Sequence, residues 1–248
     1  MRKTALAISA VLLACTQVLW AGVCEVPEYL THVEGRLDRL TAAVSKDLRL
    51  DILVVGTGSS VLPGQTGADN SYPARLEAEL NRRLPAVKTT VRTDVKTRRT
   101  TADMEATFKK MLLDAKPTLV VWQTGTVDAM RGVDPDEFRA TLEKGIATLY
   151  AAGVDVILVN MQYSPRTDSM IAAGPYVEGL RWVAQQHDVP LFDRLAVMKH
   201  WSETGAFDLS SPDRTHIAER VHDCVGKLLA EVIVESAHLK RAPSKDHR

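Results

Sequence analysis

Nucleophilic chemistry needs a hydroxyl or thiol beside a base, and this chain offers the parts in two distant segments. Gly56-Thr57-Gly58-Ser59-Ser60 carries adjacent serines in a glycine-rich stretch, followed by Val61-Leu62-Pro63-Gly64. Asp213 and His216 stand three apart in Ser211-Pro212-Asp213-Arg214-Thr215-His216. A serine hydroxyl is a weak nucleophile until a base within hydrogen-bond reach takes its proton. If the turn between Asp213 and His216 is helical, their side chains share one face, and the carboxylate can fix the imidazole tautomer and stabilise the cation that forms. Each piece also has a plainer reading. The serines could be hydroxyls of a tight turn that Gly58 permits, and Asp213 could be the cap of the next helix. A cap alone gives no reason for a histidine at that spacing.

These residues must be positioned by elements whose order the sequence also suggests. Short β-rich runs at Leu50 to Val55, Lys88 to Arg92, Thr118 to Gln123, Asp155 to Asn160 and Pro190 to Phe192 alternate with helical periodicity at Tyr72 to Arg83, Thr101 to Ala115, Pro135 to Ala152, Pro175 to His187 and His216 to Val234. Asp134-Pro135 and Gly153 punctuate the third helix as start and stop. The alternation predicts an α/β fold, a three-layer α/β/α sandwich around a five-stranded parallel sheet. In such a sheet ligands bind beyond the carboxyl ends of the strands. The serine segment follows the first predicted strand and Thr124-Gly125-Thr126-Val127-Asp128 the third.

With order and placement together, the chain resembles the SGNH/GDSL hydrolases. Gly58-Ser59-Ser60, with Gly64 four residues past the serine, resembles the family's Gly-Asp-Ser-x-x-x-Gly segment, Ser59 standing for the aspartate. Asp213-x-x-His216 looks like its terminal Asp-x-x-His, and Gly125-Thr126-Val127-Asp128 falls where the family has Gly-x-Asn-Asp. The likeness runs from about Leu50 to Val234 and includes Tyr72-Pro73-Ala-Arg-Leu-Glu. It implies a flavodoxin-like domain that cleaves carboxylic esters without cofactor or metal. By resemblance Ser60 is the nucleophile, rather than Ser59. His216 is then the base in acylation and acid for the leaving alcohol, and Asp213 orients it. Acetylated polysaccharide, lipid and small esters all fit as substrates.

One departure bears on activity. Val127 occupies the place of the family's asparagine, whose amide donates to the oxyanion, and valine has no such donor. Loss of one oxyanion donor costs about 10²–10³ in turnover. Arg98, placed where the family has an oxyanion glycine, and Asn70 or Gln123 are the residues that could compensate. The alternative function is therefore a catalytically weakened member that binds an acylated glycan or another envelope ligand.

Met1-Arg2-Lys3 followed by the uncharged run Thr4 to Ala14 predicts a signal peptide over residues 1–21, hence a periplasmic or secreted protein. Simple cleavage is favoured over lipidation at Cys15, and the apolar run is marginal against the ~20 residues a spanning helix needs. The domain is expected over residues 22–236, with a polar basic tail at 237–248. Cys24 and Cys224 remain as a possible disulfide pair in an oxidising compartment, or as unrelated buried thiols. Acidic and basic residues balance at 31 each, which leaves no electrostatic footprint for nucleic acid. His32, His187, His200, His222, His238 and His247 lack ligand spacing and read as surface residues. Gly56-x-Gly58-x-x-Val61 fails as a dinucleotide fingerprint at its third position, and Trp122 reads as core.

Overall fold

The computed structural model describes residues 22–239, so the predicted signal peptide and most of the predicted basic tail lie outside the described residues. Five strands, β1 (Arg49–Gly56), β2 (Lys88–Val95), β3 (Leu119–Gln123), β4 (Asp155–Val159) and β5 (Leu191–Phe192), pair in parallel in the order β2-β1-β3-β4-β5. β3 and β4 are buried throughout, their apolar runs 119–122 and 156–159 covered on both faces.

Alternate side chains divide the sheet between two cores. Leu50, Ile52, Val54, Val121 and Ile157 pack with α1 (Asp38–Asp47), α2 (Tyr72–Arg83), α9 (Arg194–Glu203) and α10 (Arg214–Ser236). Leu53, Val55, Trp122 and Leu158 pack with α3 (Thr101–Glu105), α4 (Phe108–Ala115), α6 (Pro135–Ala151) and α8 (Gly174–Gln186). Two short helices, α5 (Thr126–Arg131) and α7 (Pro165–Met170), follow the ends of β3 and β4. This is the expected three-layer α/β/α sandwich. Trp122 is core, fully buried and edge-on to Phe108 at 4.7 Å between ring centroids.

Local chemistry explains the boundaries. Asp134 caps α6 by accepting from the Asp136 and Glu137 amides, Pro135 opens it, and Gly153 takes φ +75° just past its end. The single helix expected over 101–115 is two, because the Thr107 hydroxyl donates to the Met104 carbonyl at 2.7 Å and its amide bonds the same oxygen. That tightens the last turn of α3 and starts a new axis.

Close approach of α10 to α2 fixes the wall that carries the later histidines. A Cβ on Gly226 would lie 2.6 Å from Arg75 Cβ and 2.9 Å from the Leu76 nitrogen, so only glycine fits. Of the two readings of Cys24 and Cys224 the disulfide is the one formed, with Cα atoms 5.0 Å apart, and it ties the leading segment to α10. At the far end, Ala237 is fully buried and its carbonyl accepts from Thr41 at 2.8 Å, so the first residue of the predicted tail belongs to the folded body.

Candidate functional site

Beyond the carboxyl ends of the strands lies a crevice of about 520 Å³, between the turn after β1, the loop after β4, and the starts of α9 and α10. Gly58, Ser59, Tyr163, Arg194, Arg214 and His222 are among its lining residues. This is the position where an open parallel sheet binds ligands.

The serine segment forms a short 3₁₀ turn, Gly58–Ser60, immediately after Thr57. Ser60 points inward and is 0 % exposed. Its hydroxyl donates to Gln123 Oε1, and the Tyr72 hydroxyl lies 3.5 Å away. Gly56 makes room for this, since a Cβ there would sit 2.2 Å from Ser60 Oγ. The serine that lines the crevice is Ser59, half-buried, whose hydroxyl accepts from Gln123 Nε2 at 2.7 Å. Thus Gln123, fully buried at the end of β3, holds both serines with one amide.

Asp213 and His216 share the first turn of α10, and both are exposed. Asp213 is the N-cap, its Oδ1 accepting from the His216 backbone amide at 3.4 Å. The carboxylate is thereby directed at the helix backbone and makes no hydrogen bond with the imidazole. His216 faces a separate depression beside Cys24, Arg75 and Glu219. Among the described residues no hydrogen bond joins Ser60 to Asp213 or His216. The structure brings the acid and the histidine onto one turn but leaves Ser60 in another environment.

Three of the candidate oxyanion donors, the Ser60 amide, Asn70 and Gln123, are spent elsewhere. The Ser60 amide donates to the Thr57 carbonyl at 2.9 Å. Asn70 donates to Glu219 at 2.9 Å and accepts from Arg75. Arg98 adopts a left-handed backbone, φ +62°, and is exposed; its carbonyl accepts from Arg131 at 2.8 Å, a bond that does not use its amide. Val127 lies partly buried in α5. Asp128 beside it is structural: it accepts from both the amide and the hydroxyl of Thr101 at 2.9 Å, and burial pushes its pKa up. Among the described residues no cluster of three or more His, Cys, Asp or Glu could hold a metal ion.

Two residues central to the crevice were not singled out from sequence. His222 was expected at the surface and is instead buried, because it continues the apolar stripe of α10 with Val221 and Val225. Its Nδ1 accepts from the Tyr72 amide at 3.0 Å. Burial, and then the nearby Arg194 charge, push its pKa down to about 3. At neutral pH the ring is uncharged, and with Nδ1 engaged as acceptor the proton resides on Nε2. His222 can donate from that nitrogen but has no free lone pair to act as a base.

Arg194 opens α9 and is fully buried beneath the crevice. Nη1 donates to the Ser59 carbonyl at 3.0 Å and to Gln123 Oε1 at 3.4 Å, and the guanidinium lies 5.5 Å from the Tyr72 ring centroid. Nε and Nη2 are buried without a hydrogen-bond partner. Burial lowers its pKa to about 10, so it remains a cation at neutral pH. Tyr72, also fully buried, has its pKa raised by burial. Of this network the sequence points only to Gln123 and to the Tyr72 segment, and neither carries a sign of Arg194 or His222.

The fold is shared with solved esterases. A two-domain esterase, CEX, active on acetylated mannans, superposes with TM-score 0.68 at 16 % identity, covering 89 % of this chain and 59 % of that one. A catalytic mutant of Axe2, an acetylxylan esterase from Geobacillus stearothermophilus, gives TM-score 0.58 at 18 % identity over 78 % of this chain and 96 % of that one. TesA gives 0.55 at 20 % identity, over 73 % and 99 %. No curated protein matches the chain. These neighbours show a fold shared with solved esterases, and together with the family match they bear out the SGNH/GDSL-like resemblance. The non-GDSL lipase-like family matches residues 23–239, and the chain belongs to that family.

Proposed function

We propose that this protein is a catalytically weakened member of an ester-hydrolase fold, whose crevice binds a ligand instead of turning over esters through Ser60. The observation that carries this reading is the orientation of Ser60. Its hydroxyl is buried against Gln123, and its amide is committed to Thr57. A nucleophile must reach both its base and its substrate, and neither route is open to Ser60 in this arrangement. Asp213 and His216 then serve as cap and surface residue, with the triad reading retained as the hypothesis to be tested. Cys24–Cys224 supports residence in an oxidising compartment, the periplasm or outside the cell.

A second reading is supported by Ser59, which does line the crevice. It allows residual ester hydrolysis, for which a base would have to come from water or from movement of α10. A short-chain ester panel on the purified protein, beside Ser59→Ala, Ser60→Ala and His216→Ala, separates the readings. Binding without turnover is expected. Turnover abolished by Ser60→Ala and His216→Ala would overturn the proposal and restore the triad; turnover abolished by Ser59→Ala alone would establish the second reading.

A further inference from the structure

A buried cation normally has a carboxylate. Arg194 has none: its hydrogen-bond partners are a carbonyl and an amide oxygen, and no ion pair includes it among the described residues. Paired buried arginines in the same chain show the contrast, as Arg99 bonds Asp94 at 2.9 Å. A charge removed from water and left uncompensated is strongly unfavourable. The other groups near Arg194 do not offset it, since Tyr72 is a neutral phenol and His222 a neutral imidazole at pH 7.

The compensating charge can come only from the side of the crevice, which Arg194 lines together with His222 and Ser59. Two further arginines, Arg166 and Arg214, line the same crevice and are exposed, against one acidic lining residue, Asp208. His222 contributes an Nε2–H donor, since Nδ1 is engaged by Tyr72. The lining is therefore donor-rich and net positive around a cavity large enough for a small organic molecule. Guanidinium groups pair with planar or tetrahedral oxyanions through parallel N–H donors, and Nε and Nη2 of Arg194 are the adjacent pair left unpartnered.

We propose that the crevice receives a ligand bearing an oxyanion group, carboxylate or phosphoryl, anchored on Arg194 at the floor and drawn in by Arg166 and Arg214 at the rim. This deepens the ligand-binding reading and rests on it. Because Nε and Nη2 are fully buried, their direct engagement requires a local opening of the crevice floor.

The test is calorimetric titration of the purified protein with sodium acetate and with inorganic phosphate, each against sodium chloride at matched ionic strength, so that screening is held constant. Acetate binding marks a carboxylate ligand and phosphate binding a phosphoryl one. Saturable heat is expected with one of the two, with affinity at least about tenfold above chloride, and weakened about tenfold or more in Arg194→Met. Should that variant fail to fold, the exposed pair Arg166→Gln and Arg214→Gln is expected to weaken the same anion severalfold. Binding no better than chloride, or unchanged in a folded Arg194→Met or in the rim pair, overturns the anion site. Ester turnover lost in Ser60→Ala with anion binding intact would overturn the binder reading alone.

Discussion

Replacing Arg194 by methionine, which follows the same stem and adapts to irregular space, should stabilise the fold while removing the proposed anchor. Burial lowers the Arg194 pKa from the ordinary guanidinium value to about 10. At about 1.4 kcal/mol per unit, the charged form is disfavoured in the native state by roughly 3 kcal/mol. Because the folded pKa lies below the unfolded one, this penalty is present at every pH below about 10 and is relieved only above it. Against it stand the hydrogen bonds to the Ser59 carbonyl and Gln123 Oε1, worth about 1 kcal/mol each. Gln123 Oε1 keeps Ser60 as a donor after the substitution.

The balance is a gain of about 1 kcal/mol, or about 2–4 °C in Tm for a domain of this size. Urea denaturation at pH 7 and low anion concentration measures it directly. A loss of more than about 2 kcal/mol would refute the reasoning. It would mean that the guanidinium acts chiefly as a hydrogen-bond keystone for the Ser59 turn, and that the buried charge needs no ligand to explain it.

Further expectations concern the groups around this charge. His222 has a native pKa of about 3, against about 6.5 unfolded. As pH falls through the unfolded value, the unfolded chain gains a proton that the native state refuses, and about 2 kcal/mol should be lost between pH 6.5 and 5; urea unfolding of wild type against His222→Gln isolates it, and parallel pH profiles would show that the imidazole is not held neutral. For the bond between Cys24 and Cys224, 200 residues apart, Cys24→Ser should cost about 2–5 kcal/mol, checked by chemical denaturation with and without reductant; an unchanged midpoint would remove the bond from the folded protein's energetics.

The sheet was legible because its strands carry their own signal. β3 and β4 each carry four consecutive apolar residues, 119–122 and 156–159, and α2 has its apolar face, its Pro73 and its basic end in register, so its observed bounds are those expected. α9 was missed for a physical reason: Arg194 occupies a buried position on the stripe that Val197, Met198 and Trp201 define, which hides the apolar period. The orientation of Ser60 was not legible either. In a 3₁₀ turn successive side chains rotate by about 120°, so adjacent hydroxyls in Gly58-Ser59-Ser60 can face the crevice and the core respectively. A motif's spacing places the turn at a strand end but does not choose between them. A similar rotation separates the histidines of α10. Six residues advance the helix by about 240°, which puts His216 at the surface and His222 in the interior.

The electrostatics of the crevice also argue against efficient ester hydrolysis by any serine in it. An oxyanion hole places donors where charge appears in the transition state and is absent in the substrate. Here the Ser60 amide, Asn70 and Gln123 are already committed, and what the crevice offers instead is fixed positive charge at Arg194 and at its rim. Fixed charge favours a ligand that is anionic in the ground state. An ester is neutral at its reacting group, whereas the acid released from it is an anion, so Arg194 would bind product better than substrate. Binding energy spent on a ground or product state does not raise turnover. Even with Ser59 as nucleophile, the same cation that suits this crevice to hold an anion would slow its release.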